Sequence, residues 1–239
     1  MRLDEWLTQK QYFSSRSKAI RFIRENGVKI NEKLIKKPAY RVKRHDQVNI
    51  EENELQIFTK PLGYSKMTWL SLNPHFPPFN LHDKCLDVGA SAGGFSLYML
   101  EQNVQSVLAI EISSDFEPFL KEIRNQYPNK FSYWIKDFFK LTPSSFPHSF
   151  NFITVDLSLD PYFLLKKLEF FTSLLQPSSI QARLLLTIKT GKITNLKDIL
   201  QKIEQKIEQK IDTLCSNTSC IWLESLPDKQ ERFLMLLKS

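Results

Sequence analysis

The most concentrated chemistry in the chain is the segment Leu86-Asp87-Val88-Gly89-Ala90-Ser91-Ala92-Gly93-Gly94-Phe95. An apolar run ends in glycines and a helix-forming stretch follows, so a strand should hand over to a helix, with backbone N–H groups around a ligand at the strand's carboxyl end. The spacing is G-x-x-x-G-G rather than G-x-G-x-x-G, and Asp87 just before it argues against a pyrophosphate. A carboxylate there suits a ligand with a cationic ammonium group. Two further acids close expected strands. Glu111 can accept both hydroxyls of a ribose, and Asp137 is placed to meet an adenine amino group. With Gly89, Ala90, Ser91, Gly93 and Gly94 forming the turn, the three acids describe a site for a nucleoside with a positively charged arm.

The elements that must hold these residues alternate. From about Lys84 the pattern reads as strand, turn and helix in succession: Cys85–Val88, helix 95–103, Ser106–Glu111, a helix to about Tyr127, Ser132–Ile135 and Phe152–Asp156. A helix over 161–175, Arg183–Lys189, and short strands at Ile221–Leu223 and Phe233–Leu237 complete it. Ile199, Ile203, Ile207 and Ile211 recur every four residues, as on a helix packed against a sheet. This alternation predicts an α/β fold, a doubly wound Rossmann-like sheet with helices on both faces.

The first fifth of the chain is different. Residues 1–50 hold 13 Lys/Arg and 5 Asp/Glu, whereas the remainder holds 20 and 21. The whole formal excess of +7 therefore resides in the N-terminal part, the electrostatic footprint of a nucleic-acid binder. Its pattern predicts a small α+β module. Leu3, Trp6 and Leu7 share one helical face, and Ser14 and Ser15 can cap a helix over Arg16–Glu25 that Asn26-Gly27 ends. Val28 and Ile30 form a strand before a turn at Asn31-Glu32, and Val42, Val48 and Ile50 give further strand material. The acids Glu51, Glu52 and Glu54 and the joint Pro61-Leu62-Gly63 mark the change, with domains expected at 1–58 and 59–239. Cys85, Cys215 and Cys220 and the scattered histidines show no metal-ligand spacing, which predicts no metal and reduced thiols. No apolar run is long enough for a membrane span, and the first residues lack the apolar core of a signal peptide, so a cytoplasmic location is expected.

Arg2-Leu3-Asp4, Leu7, Ser15-Arg16, Ala19, Ile23, Gly27-Val28, Ile30-Asn31, Pro38, Val42 and Asp46 resemble the S4-type RNA-binding domain, with Glu32 at the family's usual glycine. The resemblance implies RNA as partner, contacted mainly at phosphates by Arg2, Arg16, Lys18, Arg21 and Lys29. Leu-Asp-Val-Gly-Ala-Ser-x-Gly-Gly-Phe and Asp156-Leu157-Ser158 are similar to the TlyA branch of the FtsJ-like ribose methyltransferases, which has these two domains in this order. That resemblance implies S-adenosylmethionine as cofactor and the ribose 2′-hydroxyl of an RNA, ribosomal RNA in TlyA-like proteins, as acceptor. It also implies a Lys, Asp, Lys, Glu set, in which a lysine of depressed pKa orients or deprotonates the hydroxyl while a carboxylate fixes it.

Asp156 and Lys189 match at the ends of their strands. For the first lysine one register offers Ser71 and another Lys66, and Lys66 is favoured. The family's final glutamate aligns most simply with Arg232, while Glu231 is one residue away and therefore on the other face of a strand. These departures keep a second reading open, a non-catalytic RNA-binding or ribosome-assembly factor with a degenerate methyltransferase fold.

Overall fold

The computed structural model describes residues 1–10, 12–13, 15–50, 60–176, 182–189, 201, 205, 218–226 and 231–238. The isoleucine stripe from Ile199 to Ile211, Cys215, Ser14 and the expected domain boundary at 58/59 lie outside them. The chain divides into two compact units, Met1–Pro61 and Leu62–Ser239.

In the first unit, helices α1 (Leu3–Gln9) and α2 (Arg16–Glu25) accompany the short strands β1 (Val28–Ile30), β2 (Lys33–Ile35) and β3 (Val48–Asn49), paired antiparallel in the order β2-β1-β3. Ser15 starts α2 by accepting the Lys18 N–H at 3.3 Å. Ala19, Phe22 and Ile23 then meet Leu3, Leu7, Val28 and Ile30 in one core. Asn31 and Glu32 both have positive φ, 48° and 66°, the backbone of a tight hairpin turn. Val42 belongs to the core but to no strand; its neighbour Arg41 makes only an isolated bridge to Arg2.

Beneath this unit's surface the fully buried Asp4 carboxylate accepts from Arg2 Nε at 3.0 Å and Nη2 at 3.1 Å, and from Arg16 Nε at 2.9 Å. Burial pushes its carboxyl up, but the hydrogen bonds from Arg2 and then Arg16 outweigh this and hold it at about 2. A depressed carboxylate stabilises the fold above its unfolded pKa of about 4 and loses that contribution as pH falls through the folded value. Acid unfolding of the chain should therefore show a limb between about pH 4 and pH 2, worth about 1–2 kcal/mol because both guanidiniums are half-exposed. Asp4→Asn should flatten it, and an unchanged acid limb would dissociate Asp4 from acid stability.

The second unit is built on seven strands: β4 (Lys84–Val88), β5 (Ser106–Glu111), β6 (Phe131–Ile135), β7 (Phe152–Val155), β8 (Ala182–Lys189), β9 (Thr218–Glu224) and β10 (Glu231–Lys238). Their order is β6-β5-β4-β7-β8-β10-β9. The four pairings among β6, β5, β4, β7 and β8 are parallel, whereas β10 inserts antiparallel between β8 and β9. Alternate residues feed two cores. Leu184, Leu186, Leu234 and Leu236 face helices α6 (Pro161–Lys166) and α7 (Leu168–Ser173) through Leu164, Leu168 and Phe171. Leu185, Phe233 and Met235 face α3 (Leu62–Ser71), α4 (Gly94–Glu101) and α5 (Glu117–Gln126) through Met67, Leu70, Met99 and Leu120. The sheet is thus covered on both faces, as the alternation requires.

The expected joint Pro61-Leu62-Gly63 contains the boundary between the two units, and Leu62 on its far side begins α3. Gly63 serves packing as well. A Cβ on it would sit 3.3 Å from Gly94 Cα, and one on Gly94 would sit 2.6 Å from the Tyr64 backbone nitrogen. The two helices approach backbone to backbone, which fixes where the next turn of α3 projects its side chains. Gly94→Ala should push α3 away, cost about 1–3 kcal/mol and lower any reaction that depends on Lys66 about 100-fold. Thermal unfolding with a turnover assay checks both effects; full turnover would separate this contact from the site.

Candidate active site and cofactor cleft

The carboxyl ends of the parallel strands open into a cavity of about 390 Å³. Ile110, Phe138, Phe139, Leu157 and Leu159 give it apolar walls, and Gly89, Glu111 and Asp137 line it as well. Glu111 is held rigidly, its two oxygens accepting from the Ser91 N–H at 2.7 Å and the Ser113 N–H at 2.9 Å. Each oxygen keeps a second lone pair for a hydroxyl donor. Asp137 accepts the Phe139 N–H at 3.0 Å at the rim. Apolar walls with two fixed carboxylates suit the flat base and vicinal hydroxyls of a nucleoside.

The glycine turn behaves differently from the expectation in one respect. Asp87 is 1% exposed and spends its oxygens on the Ser96 N–H and hydroxyl, at 3.0 and 2.6 Å, and on the Thr154 hydroxyl at 3.0 Å. It ties the turn to the start of α4 and does not face the cavity, so direct contact with a ligand ammonium is not what this geometry offers. Burial outweighs these hydrogen bonds and raises its carboxyl to about 6. Ala90 and Gly89 both donate to Ile110 O, at 3.1 and 2.9 Å, and Gly93 donates to Ala90 O at 2.8 Å. Ser91 (φ 51°) and Gly93 (φ 75°) carry the turn's left-handed backbone, and Gly93 and Gly94 then pack against α5 and α3.

Beside this cavity four charged side chains meet. Lys66 Nζ lies 2.8 Å from Asp156 Oδ2 and 3.0 Å from Glu231 Oε2. Lys189 Nζ donates to Asp156 Oδ1 and lies 3.0 Å from Glu231 Oε2. Two ammonium groups and two carboxylates thus close a ring. The side chains of Lys66 and Glu231 are about 5% and 6% exposed, whereas Lys189 at 28% is the member most open to a ligand. Burial pushes Asp156 up, but the charges of Lys66 and Lys189 overcome it and hold the carboxyl below its ordinary range. Burial lowers Lys189, but Asp156 and then Glu231 overcome it and raise the amine. A lysine of depressed pKa, as expected from the resemblance, is therefore not the resting state of Lys189.

The register explains the fourth member. Glu231 pairs directly with Lys189 across β10 and β8, so both project to the face covered by α3. Arg232 projects to the opposite face and pairs with the exposed Glu224 at 3.3 Å. Of the two positions it is therefore Glu231, and not Arg232, that joins the ring. Ser71 is also outside the ring, exposed and donating to Thr68 O at 2.8 Å. Sequence reasoning missed Ser225 altogether. Its buried hydroxyl donates to Glu231 Oε1 at 3.1 Å.

In the first unit Lys18 and Lys29 are exposed, and Arg21 pairs with Glu25 at 2.9 Å along α2. Arg2 and Arg16, expected at phosphates, are anchored on Asp4 and remain half-exposed, with Arg16 reaching Glu5 at 3.2 Å as well.

Residues 1–48 match the S4 domain model and residues 63–186 the FtsJ-like methyltransferase model. Hemolysin A of Brachyspira hyodysenteriae is 30% identical over 115 residues, which cover 47% of this chain and 45% of that protein. The chain thus spans less than half the length of the curated relative it matches. Among solved structures, a Streptococcus thermophilus protein described as a candidate hemolysin is similar over 100% of this chain and 88% of its own, at TM-score 0.57 and 16% identity. Fibrillarin of Aeropyrum pernix, solved with natively bound S-adenosyl-L-methionine, covers 71% of this chain and 73% of its own, at TM-score 0.54 and 12% identity. At such identities these two show a common fold. Because the match to residues 63–186 takes in more than half of the sequence, this chain belongs to the FtsJ-like methyltransferases, and it carries an S4 domain ahead of the methyltransferase domain.

Proposed function

We propose that the protein is an S-adenosylmethionine-dependent RNA ribose 2′-O-methyltransferase, with ribosomal RNA as substrate and the cytoplasm as its place of action. The observation that carries this reading is the closed ring of Lys66, Asp156, Lys189 and Glu231 beside a nucleoside-sized cavity. S-adenosylmethionine, when bound, supplies a methyl group already activated on a sulfonium sulfur. Glu111 would take the ribose hydroxyls, Asp137 the adenine amino group, and Phe138, Phe139, Leu157 and Leu159 the base. The remaining difficulty is the acceptor, because a ribose hydroxyl is a poor nucleophile near neutral pH. Lys189 Nζ, the open member of the ring, would hold the 2′-oxygen in line and take its proton. Lys66, Asp156 and Glu231 would fix that amine in place. With Glu231 supplying the acid that the alignment left vacant, the degenerate-fold reading loses its main support.

No helix among the described residues is long and apolar enough to cross a membrane. Exposed lysines of the S4 domain would bind phosphates, so Lys18→Ala should lower the slope of log K against log salt by about one for any RNA sequence; an unaltered slope would remove Lys18 from the contact.

The decisive experiment incubates unmodified ribosomal RNA with methyl-labelled S-adenosylmethionine and the protein, then hydrolyses the RNA in alkali. Alkaline cleavage needs a free 2′-hydroxyl, so a 2′-O-methyl leaves its label in resistant dinucleotides. Label in mononucleotides would instead mean a methylated base and would overturn the ribose assignment.

A further inference from the structure

On the other side of the charged ring from the cofactor cleft, α3 and the end of β9 enclose a second cavity of about 320 Å³, lined by Trp69, Leu72, Asn73, Pro74 and Glu224. Trp69 follows Lys66 by three residues, nearly one helical turn. Its indole N–H donates to the Glu224 carbonyl at 3.2 Å. The next residue, Ser225, is the one that holds Glu231. The cavity and the ring therefore share both walls, α3 and the β9 end. Trp69 is 38% exposed and Leu72 73% exposed. A tryptophan whose polar edge is satisfied while its ring stays open to solvent is a prepared contact surface rather than a core residue.

We propose that this cavity receives the nucleobase attached to, or next to, the acceptor ribose, stacked on the Trp69 indole. The inference rests on the reading of the ring as the ribose site. The sheet order then dictates direction. The methyl donor's cleft lies over the ends of β4, β5, β6 and β7, the ring over β7, β8 and β10, and the Trp69 cavity at β9. A ribose held at the ring, with the donor on one side, must send its RNA outward on the other. Trp69, Leu70, Leu72 and Pro74 give apolar and aromatic walls, with Asn73 and Glu224 as the polar members, and the indole face suits the π-face of any base and favours purines, the better stackers. Sequence choice would then come from elsewhere in the RNA contact.

Two variants of the full chain test this. Trp69→Leu removes the stacking face, and Trp69→Phe keeps an aromatic face but loses the N–H to Glu224. Addition of poly(A) should quench the part of the tryptophan emission that Trp69→Phe removes. In transfer assays on unmodified ribosomal RNA, Trp69→Leu should raise KM for RNA about 5- to 150-fold while Trp69→Phe stays within about threefold, with kcat little changed in both. A fall in kcat in both variants without a rise in KM would assign Trp69 to holding the ring and overturn the stacking role. Absence of quenching would overturn it as well. Quenching by poly(A) in a protein that transfers no methyl group would support the base site and place the failure in the methyltransferase reading.

Discussion

Lys189→Met is expected to reduce methyl transfer about a thousandfold or more while leaving affinity for S-adenosylmethionine within about twofold. Methionine keeps much of the side-chain length and removes the nitrogen that would hold the 2′-oxygen. The cofactor cavity does not include Lys189, which is why binding should survive. The variant also leaves Asp156 and Glu231 facing Lys66 alone, so thermal unfolding must accompany the assay to show an intact fold. The wild type carries a second part of the same prediction. Asp156 and Glu231 raise the Lys189 amine above the ordinary lysine range, so near neutral pH only a small fraction is neutral and able to accept a proton. That fraction grows with pH, and a rate limited by it should rise about tenfold per unit between about pH 7 and 9. A flat profile with the Lys189→Met loss intact would make Lys189 an aligning group only. Unimpaired transfer by Lys189→Met would remove it from the chemistry.

How much of this could be read from the sequence depended on whether the signal was local. The strand, glycine turn and helix around Asp87 were legible because turn chemistry and apolar alternation are written in adjacent residues. So were the ends of β5, β7 and β8 with Glu111, Asp156 and Lys189, since an apolar run that stops at a charge marks the edge of a buried parallel strand. The partners of Asp87 were not legible. Whether a buried carboxylate faces a ligand or turns back to Ser96 and Thr154 is decided by residues 9 and 67 positions away. The Asp4 anchor was hidden for the same reason, as a basic patch shows its charge in the sequence and not its internal pairing. Between Ser71 and Lys66 the sequence could favour Lys66 but not fix the register, because the approach of Gly63 to Gly94 sets which turn of α3 reaches the strands.

Glu231 shows the same limit at its sharpest, and it sets the second large expectation. Glu231→Gln should lower transfer about 100-fold or more and destabilise the fold by about 3–5 kcal/mol or less, whereas Arg232→Ala should stay within about 0–1 kcal/mol of the parent in stability and keep its activity. Along one strand, neighbouring residues point to opposite faces, so an alignment error of one position exchanges a ring member for a surface residue. The antiparallel register settles the choice by placing Glu231 across from Lys189. Removing its charge leaves two ammonium groups, one of them about 5% exposed, sharing only Asp156. Lys66 would then lose its second carboxylate partner and Lys189 its second anchor, so the amine that aligns the 2′-oxygen would be less firmly positioned, a loss that outweighs the easier deprotonation of Lys189. A partial loss of activity in Ser225→Ala would agree, since among the described residues Ser225 reaches the ring through Glu231. Activity lost in Arg232→Ala and kept in Glu231→Gln would reverse the assignment and require β10 to shift by one residue against β8. Unfolding curves for all three variants separate that outcome from simple loss of structure.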